Sequence, residues 1–350
     1  MTFSKTLKLS NGVEMPIFGL GTWQSGREEV INAVRTASGR EEVINAVRTA
    51  VLDGYRLIDT ATCYQNEDAI GEALQQLFKE GVIKREEIFI TTKCWTTHLS
   101  PEDQEEEIFI TTKCWTTHLS PEDQEEGLRE SLERLKLDYV DLWLAHMPGA
   151  FNKDMSEQRK NVTVEDVWKG FESLYEKKLT RAIGVSNFSI EQIERIMKIA
   201  KVPIHNHQVE LHLYFQQKPM VDVCKKHNIS VTAYSPIGSP GRVHFVLPNG
   251  YKPEWPPAPS PLEDSVVVKL AEKYSRTPAQ ILLRHLMQHD IAVIPKSTND
   301  KRIKENHGVF DFEISDEDIK KLDSAPQNER MFWQDFLVGH PEDPFKSERK

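Results

Sequence analysis

Four side chains far apart in the sequence are of the types that could move a proton and a charge together: Asp59, Tyr64, a lysine at position 93 or 113, and His146. Free tyrosine titrates near ~10, too high to exchange its proton readily at neutral pH. A neighbouring ammonium favours the phenolate and lowers that value. A carboxylate would hold the ammonium charged and oriented, and a histidine N–H would hold a carbonyl oxygen beside the phenol. Brought together, the four would couple hydride addition at a carbonyl carbon to proton delivery at its oxygen. His205, His207 and His212 have metal-like spacing. No cysteine or carboxylate cluster completes them, so no metal is expected.

These residues need a scaffold that brings them to one place. Leu7–Leu9 and Val13–Pro16 flank Ser-Asn-Gly, a hairpin signal. Short apolar strands then alternate with amphipathic helices. The strands are read at Ile17–Leu20, Arg56–Asp59, Ile88–Thr91 (copied at Ile108–Thr111), Tyr139–Leu144, Ala182–Val185, Gln208–Leu211, Ser230–Ala233 and Ile291–Ile294. Helical patterns cover Glu41–Leu52, Asp68–Phe78, Gly127–Leu135, Val164–Lys177, Ile190–Ile199, Pro219–His227, Leu262–Tyr274 and Pro278–Gln288. Such alternation implies a parallel sheet covered by helices. Eight units in one chain favour an α/β fold of the (β/α)8 TIM-barrel type, with an N-terminal β-hairpin and long C-terminal loops. An open doubly wound sheet is the alternative. Barrel chemistry sits where strands end, and these strands end in Gly19–Trp23, Asp59–Tyr64, Lys93 or Lys113, His146, Ser186-Asn187, Tyr234–Pro236 and Pro295–Ser297.

Two letter-perfect tandem repeats interrupt this order. Ser25–Ala37 recurs as Ser38–Ala50, and Glu87–Glu106 recurs as Glu107–Glu126. Neither unit occurs a third time, so the chain is no solenoid. Identity this complete reads as recent or artificial duplication inside a single domain spanning 1–350. Thirteen residues advance a helix by ~220° beyond whole turns, so one continuous helix could not bury both apolar stripes. The second copy, running on into Val51-Leu52 and the stop signal Asp53-Gly54, is expected to dock. The longer repeat supplies two third strands and two lysines. Lys93 lies 29 residues after Tyr64, and Lys113 lies 33 before His146. Chain order from the preceding helix favours Lys93. Lys113 would preserve the loop at the catalytic rim, and it is the expected choice.

Composition narrows the class. A net charge of −10 argues against nucleic-acid binding, while leaving room for a local basic cluster. No apolar run is long enough to span a bilayer, and no leader is read at the N-terminus. The four cysteines are too few and too scattered for a disulfide framework. A cytoplasmic monomer acting on a small molecule, with no membrane partner, is the simplest expectation.

Taken in order, the motifs resemble those of the aldo-keto reductase family, aldose/aldehyde reductase-like. They are Gly54-Tyr-Arg-Leu-Ile-Asp-Thr-Ala61, Tyr64-Gln-Asn-Glu67, the Ile-Thr-Thr-Lys run, Leu142-Trp-Leu-Ala-His146, Gly184-Val-Ser-Asn-Phe188, Ala233-Tyr-Ser-Pro236 and Ile294-Pro-Lys-Ser297, with Arg302 and Glu305-Asn306. The resemblance runs from about Leu7 to the C-terminus. It implies NADPH-dependent reduction of aldehydes and ketones, with Asp59, Tyr64, one of Lys93 and Lys113, and His146 as the catalytic set. It further implies that Ser186, Asn187 and Gln208 hold the nicotinamide amide and that Tyr234 stacks on its ring. Lys296, Ser297, Arg302 and Asn306 would take the 2′-phosphate and adenine of NADPH/NADP+. Gly21, Thr22, Trp23, Asp59, Ser235, Ile237 and Glu305 complete the implied cofactor contacts. Trp23, Tyr64, His146, Met147, Trp115 and Trp333 would line the substrate pocket. Met147 stands where many relatives carry tryptophan, so the pocket wall departs from the family pattern. A barrel of this kind that binds NADPH without turnover and acts through protein partners is the competing reading.

Overall fold

The computed structural model describes residues 5–23, 37–94, 121–152, 157–244, 255, 258–327 and 330–349. β1 (Thr6–Lys8) and β2 (Glu14–Pro16) form the expected antiparallel hairpin. Its buried residues Leu9 and Met15 turn inward, and Met15 meets Asn206 at the start of a barrel strand.

Eight parallel strands follow: β3 (Leu20–Gly21), β4 (Leu57–Asp59), β5 (Phe89–Cys94), β6 (Leu142–Ala145), β7 (Ile183–Ser186), β8 (Asn206–Glu210), β9 (Ser230–Tyr234) and β10 (Ile291–Val293). Each pairs with the next in chain order. The first and last are joined by parallel bridges at Phe18–Val293 and Gly21–Lys296. The Gly19 N–H donates to the Val293 carbonyl at 3.0 Å, so the sheet closes on itself and no edge is left open. The open-sheet alternative is thereby set aside.

The helices cover the strands from outside because each has one apolar stripe. In α1 (Ala37–Leu52), Val43, Ile44, Val47, Ala50 and Val51 are buried. This helix is the second copy of the short repeat; residues 25–36 of the first lie outside the described residues. It stops at Gly54, whose φ of +104° few side chains tolerate. α2 (Glu67–Lys79) has Glu67 and Asp68 in its first turn and Lys79 in its last, complementing the helix dipole. Capping boxes start α4 (Val164–Glu176), α5 (Ile190–Ile199) and α8 (Pro278–Gln288). α6 (Lys218–Lys226) and α7 (Ser265–Tyr274) complete the ring. Two short polar helices, α9 (Asp300–His307) and α10 (Asp316–Asp323), went unread in the sequence, although Asn299 and Ser315 cap them.

The long repeat resolves in a mixed way. The third barrel strand, β5, is built from the first copy, whereas α3 (Pro121–Leu135) begins in the second. Proline at the head of α3 suits a position whose N–H has no helical partner. The expectation that Lys113 would fill the strand is corrected: the strand lysine is Lys93, and Lys113 lies outside the described residues. The reason lies just upstream. Arg85 donates to the carbonyls of Ile88 and Tyr139 and pairs with Asp141 at 2.7 Å, clamping the start of β5 to β6. Two residues before the second copy stands Glu105 instead, which could only repel Asp141. Among the described residues no helix is long and apolar enough to cross a membrane.

Candidate active site

Alternation along β5 decides which way its polar residues face. Thr92 points outward and donates to the Glu67 carboxylate at 2.7 Å, and Arg134 donates to the same carboxylate at 2.8 Å. α2, β5 and α3 are thus tied together by one buried acid. The neighbouring Lys93 therefore points into the barrel, where it is wholly buried. Its Nζ donates to Asp59 Oδ1 at 2.7 Å, to the Thr60 carbonyl at 2.7 Å and to the Tyr64 hydroxyl at 3.5 Å.

Tyr64 sits on one 3-10 turn, Thr62–Tyr64, directly after β4. The turn is braced from three sides. Asn66 donates to the Thr22 carbonyl at 3.0 Å and accepts from Thr60 at 3.0 Å. Thr62 donates to the Lys93 carbonyl at 3.2 Å. Thr22 donates from both its N–H and its hydroxyl to the Asp59 carbonyl. His146 follows β6, with its ring centroid 6.1 Å from that of Tyr64 and nearly perpendicular to it. Three residues expected to meet at a rim, together with the lysine from the first copy, form one cluster.

Electrostatics corrects one expectation. Burial, then the Asp59 carboxylate, pushes the Tyr64 phenol well above its ordinary value rather than below it. The ammonium of Lys93 lies closer to Asp59 than to the phenol, so most of its charge is already balanced. Tyr64 is accordingly protonated at neutral pH and equipped to donate. Burial, reinforced by the Lys93 charge, holds His146 far below the usual imidazole range, so its ring is neutral. Burial also raises the Asp59 carboxyl, against the pull of Lys93 and of Gln208.

Gln208, at the centre of β8, donates its amide to Asp59 Oδ2 at 2.7 Å. Asn187 holds φ +60° and donates to the His146 carbonyl and to Ser186, both at 3.0 Å. Its side-chain oxygen accepts from the Tyr234 hydroxyl at 2.8 Å. Gln208 and Asn187 therefore lie within one hydrogen bond of the catalytic cluster or its backbone, and Ser186 and Tyr234 join it through Asn187. Ser235, at φ +54°, and the half-buried Ile237 continue from Tyr234.

At the neighbouring strand end, Ser297 is buried while Arg302 is exposed on α9. Arg302 directs Nε toward the Ser297 hydroxyl at 3.4 Å. Among the described residues no carboxylate pairs with its guanidinium. Lys296 bridges to Gly21 at the seam, and Asn306 is buried on the same helix as Glu305. A phosphate-sized anion would find a cation and a hydroxyl here.

The aromatic rim differs in detail from the sequence reading. Phe332 lies edge-on to Trp23, Tyr234 and Trp255, at 5.8, 5.8 and 5.4 Å between centroids. Trp333 faces the tail, packing against Phe345 beneath Arg349. Met147 is buried against Phe151 and Leu337. Gly149 lets this tail approach, since a Cβ there would lie 2.6 Å from Leu337. Trp115 lies outside the described residues. Sequence reading missed Glu210, a wholly buried carboxylate that accepts from the N–H groups of Met331 and Phe332 at 2.8 and 3.0 Å. A lone acid between the buried Val209 and Leu211 was the available signal.

Comparison with known proteins agrees with this geometry. The sequence pattern of the Aldo/keto reductase family matches residues 18–108 and 98–327, two stretches that overlap inside the long repeat. Aldo-keto reductase family 1 member A1 of Gallus gallus is 37% identical, covering 96% of this chain and 96% of its own. Its counterpart in Sus scrofa is 38% identical, over 96% and 97%. Among solved structures, the aldose reductase of Schistosoma japonicum superposes with a TM-score of 0.79 at 33% identity, covering 99% of this chain and all of that one. A Bombyx mori aldo-keto reductase in complex with NADP gives 0.79 at 31%, over 98% and 100%.

Proposed function

The chain belongs to the aldo/keto reductase family, and we propose that it reduces the carbonyl group of aldehydes and ketones with NADPH, Tyr64 supplying the proton. The observation that carries this reading is the buried Asp59–Lys93–Tyr64 chain with a neutral His146 beside it. When bound, NADPH supplies the hydride. The residues suited to hold it are Ser186, Asn187, Gln208 and Tyr234 at the ring end and Lys296, Ser297, Arg302 and Asn306 at the phosphate end. That no carboxylate among the described residues pairs with the Arg302 guanidinium supports that assignment.

The chain's own residues then act in order. His146, being neutral, donates an N–H to the carbonyl oxygen and polarises it. Tyr64 gives its proton to that oxygen as negative charge develops there. The phenolate left behind is stabilised by the Lys93 ammonium, which Asp59 holds in place. The hydrogen bond from Gln208 to Asp59 fixes the far side of that carboxylate. Phe332, Trp23 and Trp255 shield the mouth from water.

We read the chain as a single domain, a monomer and a cytoplasmic protein; four cysteines too few and too scattered for a disulfide framework support a reducing compartment. The two repeats are read as duplications, a reading supported by each repeat having only one matching slot in the barrel. Following NADPH absorbance with 4-nitrobenzaldehyde tests the function. Tyr64→Phe should lower the rate by ~10²–10⁴-fold and leave NADPH affinity nearly unchanged. A wild-type chain that binds NADPH without turnover would establish the binding-only alternative.

A further inference from the structure

α8 carries His285, and its C-cap residue is His289, four residues on and so toward the same face. Their rings stand nearly perpendicular with centroids 5.1 Å apart. Both present Nε2 to the same carboxylate oxygen, Asp323 Oδ1, at 2.7 and 2.9 Å. Asp323 is the last residue of α10, so the three groups join two helices that adjoin neither Tyr64 nor Arg302 in sequence. The cluster plays no part in the carbonyl chemistry described above.

We propose that His285, His289 and Asp323 form a binding site for a divalent transition-metal ion of the zinc class. Three observations carry this. The donor set is two imidazoles and one carboxylate, the mixture that zinc and its neighbours accept, with water in the fourth position. The spacing is close to that of a loaded site: tetrahedral zinc with bonds of ~2.0–2.2 Å separates its ligand atoms by roughly 3.3 Å. The Nε2–Oδ1 separations of 2.7 and 2.9 Å need to open by only about half an ångström, and all three ligand atoms lie within 4.8 Å of one another. Access is one-sided: the side chains are 2%, 39% and 26% exposed, so the ion and its water would enter past His289.

Each ring would bind the ion through Nε2 as the neutral imidazole with its proton on Nδ1. The nearby cation, Lys218, donates to the Asp323 backbone carbonyl at 3.0 Å and leaves the carboxylate to the rings. An ion bound here would cross-link α8 to α10. α8 runs into β10, the strand that ends at the Lys296–Ser297 anion site, and α10 leads toward the Phe332 segment.

The test uses the full chain, stripped with a chelator and dialysed, then titrated with ZnCl2 against a competing indicator dye. Wild type should bind one more zinc per chain than His289→Ala. Loss of a ligand should weaken this site by at least the ~10–100-fold that removal of an outer-shell partner costs. Asp323→Asn should behave alike while preserving shape. His227→Ala, which removes a different histidine–carboxylate pair, should change nothing. CoCl2 should give the visible bands of a four-coordinate nitrogen–oxygen site in wild type only. This separates it from a thiol site such as Cys63 beside His146. Zinc should also raise the melting temperature of wild type and not of His289→Ala, with metal-free aldehyde turnover equal in both. Equal zinc stoichiometry and affinity in wild type and His289→Ala would overturn the proposal, as would the absence of zinc binding in wild type.

Discussion

Replacing Lys93 with methionine separates the two candidate lysines and probes the buried ion pair at once. Lys93 and Asp59 are 0% and 4% exposed and 2.7 Å apart. Removing one partner of such a pair leaves the other charge buried and unbalanced, at a typical cost of ~3–5 kcal/mol. Gln208 still donates to Asp59, so the lower end of that range is expected. The double variant Asp59→Asn/Lys93→Met leaves no charge behind and should recover much of the loss. The single variant has a further signature. Burial already raises the Asp59 carboxyl, and loss of Lys93 removes the strongest opposing influence. The folded variant would then keep a proton that the unfolded chain releases, so its stability falls as pH rises. The penalty is therefore largest at neutral and alkaline pH and shrinks toward acid. Urea unfolding of wild type, both single variants and the double variant measures these terms, and aldehyde turnover is read on the same samples. Lys93→Met should lose activity and Lys113→Met should retain it. The reverse pattern would refute the assignment of β5 to the first copy, and retention in both would mean that the copies exchange places.

Arg302→Ala should weaken NADPH by ~1.5–3 kcal/mol, the worth of a charge-assisted hydrogen bond, and NADH far less. Equal losses for the two cofactors in fluorescence titrations would reduce the cluster to a solvated helix face. Burial lowers His205 to about 4 and His207 to about 3, and His207 Nε2 accepts from the Phe188 N–H, which requires a neutral ring. The unfolded chain takes up these protons near ~6.5 and the folded chain does not, so stability should fall as pH drops below that value. A urea midpoint that stays flat between about pH 7 and 5 would contradict this. His207→Gln should make the decline shallower.

The barrel was legible because its strands and helices carry different periods. Each catalytic residue was legible because it stands at the end of a short strand or just beyond it. What was lost has physical causes. β8 was read as starting at Gln208 because Asn206 and His207 look like loop residues. Both are in fact buried and satisfied, Asn206 by Thr232 at 2.9 Å and His207 by the Phe188 N–H. Periodicity registers polarity and cannot register a polar residue whose partner lies on the next strand. Glu210 escaped for the same reason, since two of its partners are backbone N–H groups more than a hundred residues away. α9 is short and almost wholly polar, so only its cap and Ile303 could have marked it. The phenol's direction of shift was misjudged because spacing reveals that a lysine is near but not which neighbour it is nearer to.

The two repeats resolve by a common rule. Each slot is filled by the copy whose flanking sequence completes the surrounding contacts. α1 is the copy that runs on into Val51 and the Gly54 stop. β5 is the copy preceded by Arg85. α3 is the copy continuous with Leu128 and Leu132, which are buried. Both surplus segments consequently begin where a barrel strand ends, after Trp23 at the close of β3 and after Cys94 at the close of β5. Extra length in such connections costs little, since closure entropy grows only logarithmically. In chain order neither segment falls in a helix-to-strand connection, the kind that carries stability rather than chemistry. The chain therefore keeps an intact barrel and an intact Asp59–Lys93–Tyr64 cluster. Its surplus sequence falls, in chain order, in two connections that each follow a strand, β3 to α1 and β5 to α3.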